Sequence, residues 1–151
     1  MAKWTTKTQA NAAPEQVLAV LTHPDAIRLW SPIDFDVEDL EGVRLEAGST
    51  PRVSGKLAGV RVGFDVEVYS ADAGGVELAA HGPIGIDVRY EIAPAPGGSE
   101  VTASVSLRRG GGITGRLLSQ ATAALLSAGA LDGAARSIAR AAETTPALAA
   151  A

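Results

Sequence analysis

The strongest constraint in this chain is a pattern of period two that holds over four separate stretches and then gives way to a helical period. Ile33, Phe35 and Val37 alternate with Asp34, Asp36 and Glu38, and Val60, Val62, Phe64, Val66 and Val68 alternate with Arg61, Gly63, Asp65, Glu67 and Tyr69. Ile84, Ile86, Val88, Tyr90 and Ile92 follow the same rule, as do Val101, Ala103, Val105 and Leu107. Successive strand side chains point to opposite faces, so the alternation predicts an antiparallel sheet with one apolar face and one wet face. An apolar sheet face has to be covered. From Thr114 to Glu143 the chain is rich in Ala and Leu and free of proline. Leu117, Ala121, Leu125, Ala128, Leu131, Ala135, Ile138 and Ala142 recur there at spacings of three and four, the stripe of one amphipathic helix. At 1.5 Å per residue that helix is about 43 Å long, and no other predicted element is long enough to cross the sheet.

Ahead of the sheet, Lys3 to Ala10 reads as a first strand with Trp4, Thr6 and Thr8 on one face. Pro14 then sits where the first turn of a helix tolerates it, and Glu15 follows near the positive end of the dipole. His23-Pro24 ends this short helix, and Asp25 to Trp30 forms a second, stopped by Ser31-Pro32. Thr50 to Leu57 and Val76 to His81 supply two weaker strands, separated from their neighbours by turn residues such as Asp72 to Gly75 and Pro94 to Gly98. The result is about seven antiparallel strands in an α+β arrangement. No linker divides the chain, so residues 1–143 form one domain and residues 144–151 a frayed tail.

Composition removes several function classes. The absence of cysteine rules out disulfides, thiolate metal sites and a thiol nucleophile. A net charge of −4 opposes bulk attraction to nucleic acid. The uncharged run from Leu117 to Leu131 is shorter than the ~20 residues of a spanning helix and is interrupted by Ser119, Gln120, Thr122 and Ser127. The first residues lack the apolar core of a secretory signal, and a cytoplasmic protein is expected. Gly110, Gly112 and Gly115 spell a literal G-x-G-x-x-G, but no strand follows the helix they open, so no dinucleotide site is expected. Asp34, Asp36 and Glu38 share a strand face without the glycine turn and distant glutamate of a calcium loop. Neither a cofactor nor a metal ion is expected.

The run from Ala13 to Pro32 carries a resemblance. Ala13-Pro14-Glu15-Gln16-Val17, Leu21-Thr22-His23-Pro24-Asp25 and Leu29-Trp30-Ser31-Pro32 look like the exit of the first strand and the paired helices of the START-like superfamily, also called SRPBCC, which includes polyketide cyclase and lipid-transfer relatives. Element order extends the likeness over nearly the whole chain. It implies a helix-grip fold, a curved sheet wrapped on the long C-terminal helix around a cavity. Members bind lipids, sterols, polyketides or plant metabolites, and some cyclise or hydrolyse them. No catalytic motif of the superfamily is present to carry over.

The inward face of the sheet then becomes the candidate site. Trp30, Phe35, Phe64, Val66, Leu78, Val88, Tyr90, Val105, Leu118 and Leu125 are expected to contact a hydrophobic ligand, with Arg28 at the rim to meet a charged headgroup. A packed core with no space is the competing reading of the same residues. Gly129 and Gly133 inside the helical stripe point to a spatial reason, either room for a ligand or close helix–sheet packing. Tyr90 alone on that face has a polar tip, and nothing there titrates near neutrality. The leading function is binding or carriage of a lipid-, polyketide- or quinone-type molecule, leaning away from an enzyme. One alternative is a cyclase- or hydrolase-like enzyme using Tyr90, with Arg28 or His81 turned inward. Another is an accessory protein at a membrane or enzyme surface, resembling an accessory-protein family of carbon monoxide dehydrogenase and supported by the arginines around the start of the long helix.

Overall fold

Period-two alternation yields one apolar face only if strand pairing preserves parity, and in this chain it does. The computed structural model describes residues 3–31, 35–38, 44–57, 60–108 and 112–144. Its elements are β1 (Lys3–Ala10), α1 (Pro14–Thr22), α2 (Pro24–Trp30), β2 (Phe35–Glu38), β3 (Arg52–Leu57), β4 (Val60–Asp72), β5 (Gly75–His81), β6 (Gly85–Ala95), β7 (Gly98–Arg108), α3 (Gly112–Ser127) and α4 (Ala130–Thr144). The seven strands form one antiparallel sheet in the order β1-β7-β6-β5-β4-β3-β2. Across it, Val53 faces Phe64, Val66 faces Ala80, Leu78 faces Val88, Val88 faces Val105 and Val105 faces Trp4. A bulge between Val68 and Ser70 restores the phase, so that Ala71 still faces Val76. Every one of these side chains stands on the same face.

The two short helices form where proline and histidine place them. The Gln16 side chain accepts from the Ala13 N–H at 2.9 Å, and Pro14 occupies the first helical position of α1. His23 separates the helices and donates from its Nδ1–H to the Ala19 carbonyl at 2.9 Å, closing the end of α1. The main core lies between these helices, α4 and the β1-β7-β6 side of the sheet. Val17, Val20 and Leu21 of α1 meet Ile138, Ala142 and Leu131 of α4 and the strand residues Val101, Ala103 and Ile92.

The long C-terminal helix is present as two segments with one interruption. Gly129 adopts a φ of +100°, and its N–H turns back to the Leu126 carbonyl at 3.2 Å. The interruption shifts the helical phase. In α4 the expected residues Leu131, Ala135, Ile138 and Ala142 are buried, whereas in α3 the buried face is Gly115, Leu118 and Thr122. The stripe expected for α3 lies about one residue off, which leaves Leu117 61% and Leu125 45% exposed. The expectation that Leu125 faces the sheet is therefore corrected. The reason for Gly129 is backbone conformation, since a Cβ there, and likewise at Gly133, would meet no atom within 4 Å. The predicted 144–151 tail lies outside the described residues beyond Thr144.

The two glycines should respond oppositely to one substitution. Gly133→Ala, in a helix interior with open space, is expected to raise unfolding stability by about 1 kcal/mol. Gly129→Ala, forced into the left-handed region, is expected to cost about 1–2 kcal/mol. Urea unfolding of both variants measures this, and a stabilising Gly129→Ala would refute the assigned cause of the interruption.

Candidate functional site

The helices cover the sheet unevenly, and the gap between them is the candidate site. α4 seats on the β1-β7 side, while α3 places Leu118 against Val62, Phe64 and Ile84. Between these contacts lies an apolar pocket of about 250 Å³. Its floor is Val66 of β4, Leu78 of β5 and Val88 and Tyr90 of β6, and its side wall is Phe35 and Val37 of β2 with Val53 of β3. Leu21 of α1, Ile27 and Trp30 of α2, and Ser31 form the roof, and Leu45 and Pro51 close the remaining side. No described residue of α3 or α4 lines it, so the space lies under α1 and α2 and not under the C-terminal helices.

Backbone hydrogen bonds set the two loop residues in place. The Leu45 N–H donates to the Thr22 carbonyl at 2.8 Å, tying that loop to the end of α1. The Val66 N–H donates to the Pro51 carbonyl at 2.9 Å and the Val68 N–H to the Ser49 carbonyl at 3.0 Å, prolonging the β3–β4 pairing past the start of β3. At the inner end, the rings of Trp30 and Tyr90 meet edge to face, with centroids 6.0 Å apart at 78°. Trp30 is held by its indole N–H, which donates to the Val20 carbonyl at 3.0 Å. Three of the six aromatic residues of the chain thus line one pocket.

The chemistry available is narrow. Tyr90 is the one titratable residue among the described lining residues, and burial pushes its phenol well above the ordinary tyrosine range, so it stays protonated. Arg28 lies outside the lining, its guanidinium 3.5 Å from the Asp36 carboxylate in an exposed pair that bridges α2 and β2. His81 stands on the outer face, where its register partner is Asp65; its Nε2 is 3.5 Å from Glu67, and Arg108 donates to its Nδ1 at 3.3 Å. Neither Arg28 nor His81, one or other of which the enzymatic alternative needs turned inward, lines the pocket. Among the described residues no group of three or more His, Asp or Glu side chains could hold a metal ion, and no helix is long and apolar enough to cross a membrane.

Of the expected ligand contacts, the structure brings together Trp30, Phe35, Val66, Leu78, Val88 and Tyr90. Phe64, Leu118 and Val105 are buried as packing residues, the first two in one cluster and Val105 in the main core. Arg28 and Leu125 are corrected: the first is paired with Asp36, and the second is exposed on α3. The site reading missed Leu21, Ile27, Val37, Leu45, Pro51 and Val53. Strand parity already put Val37 and Val53 on the right face. Nothing local marks Leu45 or Pro51, because their placement depends on α1 and β4.

Sequence and structure comparisons place these features among known proteins. The family described as "Polyketide cyclase / dehydrase and lipid transport" matches residues 1–143. No curated protein matches the chain in sequence. Protein CV1439 from Chromobacterium violaceum shares the fold at a TM-score of 0.69 and 12% identity, covering 95% of this chain and 99% of that one. TTHA0849 from Thermus thermophilus does so at 0.68 and 16%, with coverage of 93% and 97%. Protein NE0264 from Nitrosomonas europaea follows at 0.68 and 13%, with coverage of 96% of each chain.

The buried phenol has a pH consequence. A tyrosine in the unfolded chain titrates near ~10, while Tyr90 in the fold holds its proton to higher pH. Above about pH 10 the native state therefore binds more protons than the unfolded state. This contribution to stability is whole below that pH and falls as pH rises, by up to about 1.4 kcal/mol per unit. Urea unfolding at about pH 9 and pH 11 should show a larger loss for the native protein than for Tyr90→Phe. Equal losses would contradict the burial of the hydroxyl.

Proposed function

The chain belongs to the polyketide cyclase / dehydrase and lipid transport family, and from that premise we propose that it binds a small hydrophobic molecule in the pocket under α1 and α2. The observation that carries the reading is the lining itself, in which every described residue except Ser31 and Tyr90 is apolar. Such a surface offers burial at about 25 cal/mol per Å² removed from water, with few polar groups to orient the ligand. Of the six aliphatic or aromatic residues that strand parity and the helix pattern had already singled out, Val66, Leu78, Val88 and Tyr90 form its floor, Phe35 part of its side wall and Trp30 part of its roof. Binding or carriage is the function these features support, since no described lining residue titrates near neutrality to serve as acid or base.

A neutral fluorescent probe, N-phenylnaphthylamine, tests this. The purified protein is expected to enhance its emission saturably. Val88→Trp, which fills the floor, should weaken binding at least about tenfold, because overpacking a filled site costs 1–3 kcal/mol. Leu125→Trp, on the exposed face of α3, should leave it unchanged. Saturable binding that survives Val88→Trp would remove the pocket from this role.

A second reading rests on α3. Ile113 is 80% exposed, and with Leu117 and Leu125 it forms one apolar face on a helix whose single charged residue is Arg116. An apolar helix face flanked by a cation suits an anionic lipid surface. Co-sedimentation with vesicles containing phosphatidylglycerol is expected at low salt, lost in Ile113→Glu/Leu117→Glu and absent with phosphatidylcholine alone. No sedimentation with either vesicle would dismiss this surface.

A further inference from the structure

Building on the pocket reading above, we propose that Tyr90 makes the site selective for compact, neutral ring compounds bearing a hydrogen-bond acceptor such as a ketone carbonyl, and against carboxylates of the same shape.

Size is the first argument. At about 250 Å³ the pocket lies just below the ~300–1,000 Å³ usual for small-molecule sites, whereas a ~150 Å³ cavity already accepts benzene. One or two fused rings fill such a space, and a long acyl chain would extend beyond it. Shape is the second. Trp30, Phe35 and Tyr90 present flat ring surfaces to the occupant, which favour an aromatic or planar partner through offset or edge contacts.

Polarity decides the rest. No hydrogen bond joins the Tyr90 hydroxyl to the other described lining residues, and Tyr90 borders the pocket while only 9% exposed. Its ring packs edge to face on Trp30, itself fixed to the Val20 carbonyl, so the phenol oxygen is held in place on the pocket floor. Burial keeps it protonated, ready to donate and not to accept as a phenolate. No described lining residue is cationic, and the nearby guanidinium of Arg28 is engaged with Asp36. A carboxylate placed here would lose its water without gaining a counter-charge, while a carbonyl would gain the phenol's hydrogen bond.

The experiment is displacement of N-phenylnaphthylamine at about pH 7 by three compounds of one shape: acetylnaphthalene, ethylnaphthalene and naphthoate. In the native protein the ketone is expected to bind most tightly and naphthoate at least about tenfold more weakly. Tyr90→Phe should weaken the ketone by about three- to tenfold, the worth of one neutral hydrogen bond, and leave ethylnaphthalene within about twofold. The infrared carbonyl stretch of the bound ketone should fall in frequency in the native protein, a readout that needs no variant to fold. Naphthoate binding as tightly as the ketone, an equal effect of Tyr90→Phe on ketone and hydrocarbon, or an unshifted carbonyl stretch would overturn the selectivity. Failure of ethylnaphthalene itself to displace the dye would instead overturn the pocket reading on which it rests.

Discussion

Everything in this fold depends on how the one apolar face of the sheet is covered. α4 brings Ala135, Ile138 and Ala142 down onto β1 and β7 together with Val17 and Val20 of α1, and small alanines allow that approach to be close. α1 and α2 present Leu21, Ile27 and Trp30 over the sheet's other half, and α3 touches it through Leu118 at the Val62, Phe64 and Ile84 corner. The pocket lies between these contacts. A pocket is what remains when a curved apolar face meets helices that seat on only part of it, because close packing elsewhere prevents them from settling further.

The two faces of the sheet divide the electrostatics between them. Among the described strand residues, inward positions are apolar apart from the Tyr90 hydroxyl, the threonines of β1 and Ser99, whose hydroxyl donates to the Ala12 carbonyl at 2.7 Å. Outward positions hold the ion pairs: Arg52 with Asp65, Arg89 with Glu91, and Arg108 with Asp87. Arg108 reaches both Asp87 and His81 by lying across Gly85, where a Cβ would stand 2.9 Å from its guanidinium. Keeping such groups on the wet face costs little desolvation, whereas any of them inside would need a partner. The low-dielectric interior in turn strengthens whatever hydrogen bond the hydroxyl on the pocket floor makes to a ligand.

Much of this was legible in the residues. Parity alone placed Phe35, Val66, Leu78, Val88 and Tyr90 on one face, and the Ala13–Pro32 run marked the paired helices that roof the pocket. The α4 stripe was right because its spacings of three and four all lie within one unbroken helix. Extending the same stripe back to Leu125 and Leu117 failed because Gly129 resets the phase, and the composition of α3 permits two apolar stripes. Periodicity reads spacing but not an offset introduced by a single left-handed residue.

What the chain determines by itself is the set of elements and their apolar sides, since both follow from local geometry: alternation for strands, spacings of three and four for helices, proline and glycine for the breaks. What only the tertiary structure decided is where space remains and who borders it. Leu45 and Pro51 reach the pocket because Thr22 and Val66 hold their backbones there, and Arg28 lies outside it, 3.5 Å from Asp36 of β2. Contacts of this kind join residues distant in sequence, and no local pattern encodes a distance between two separate elements.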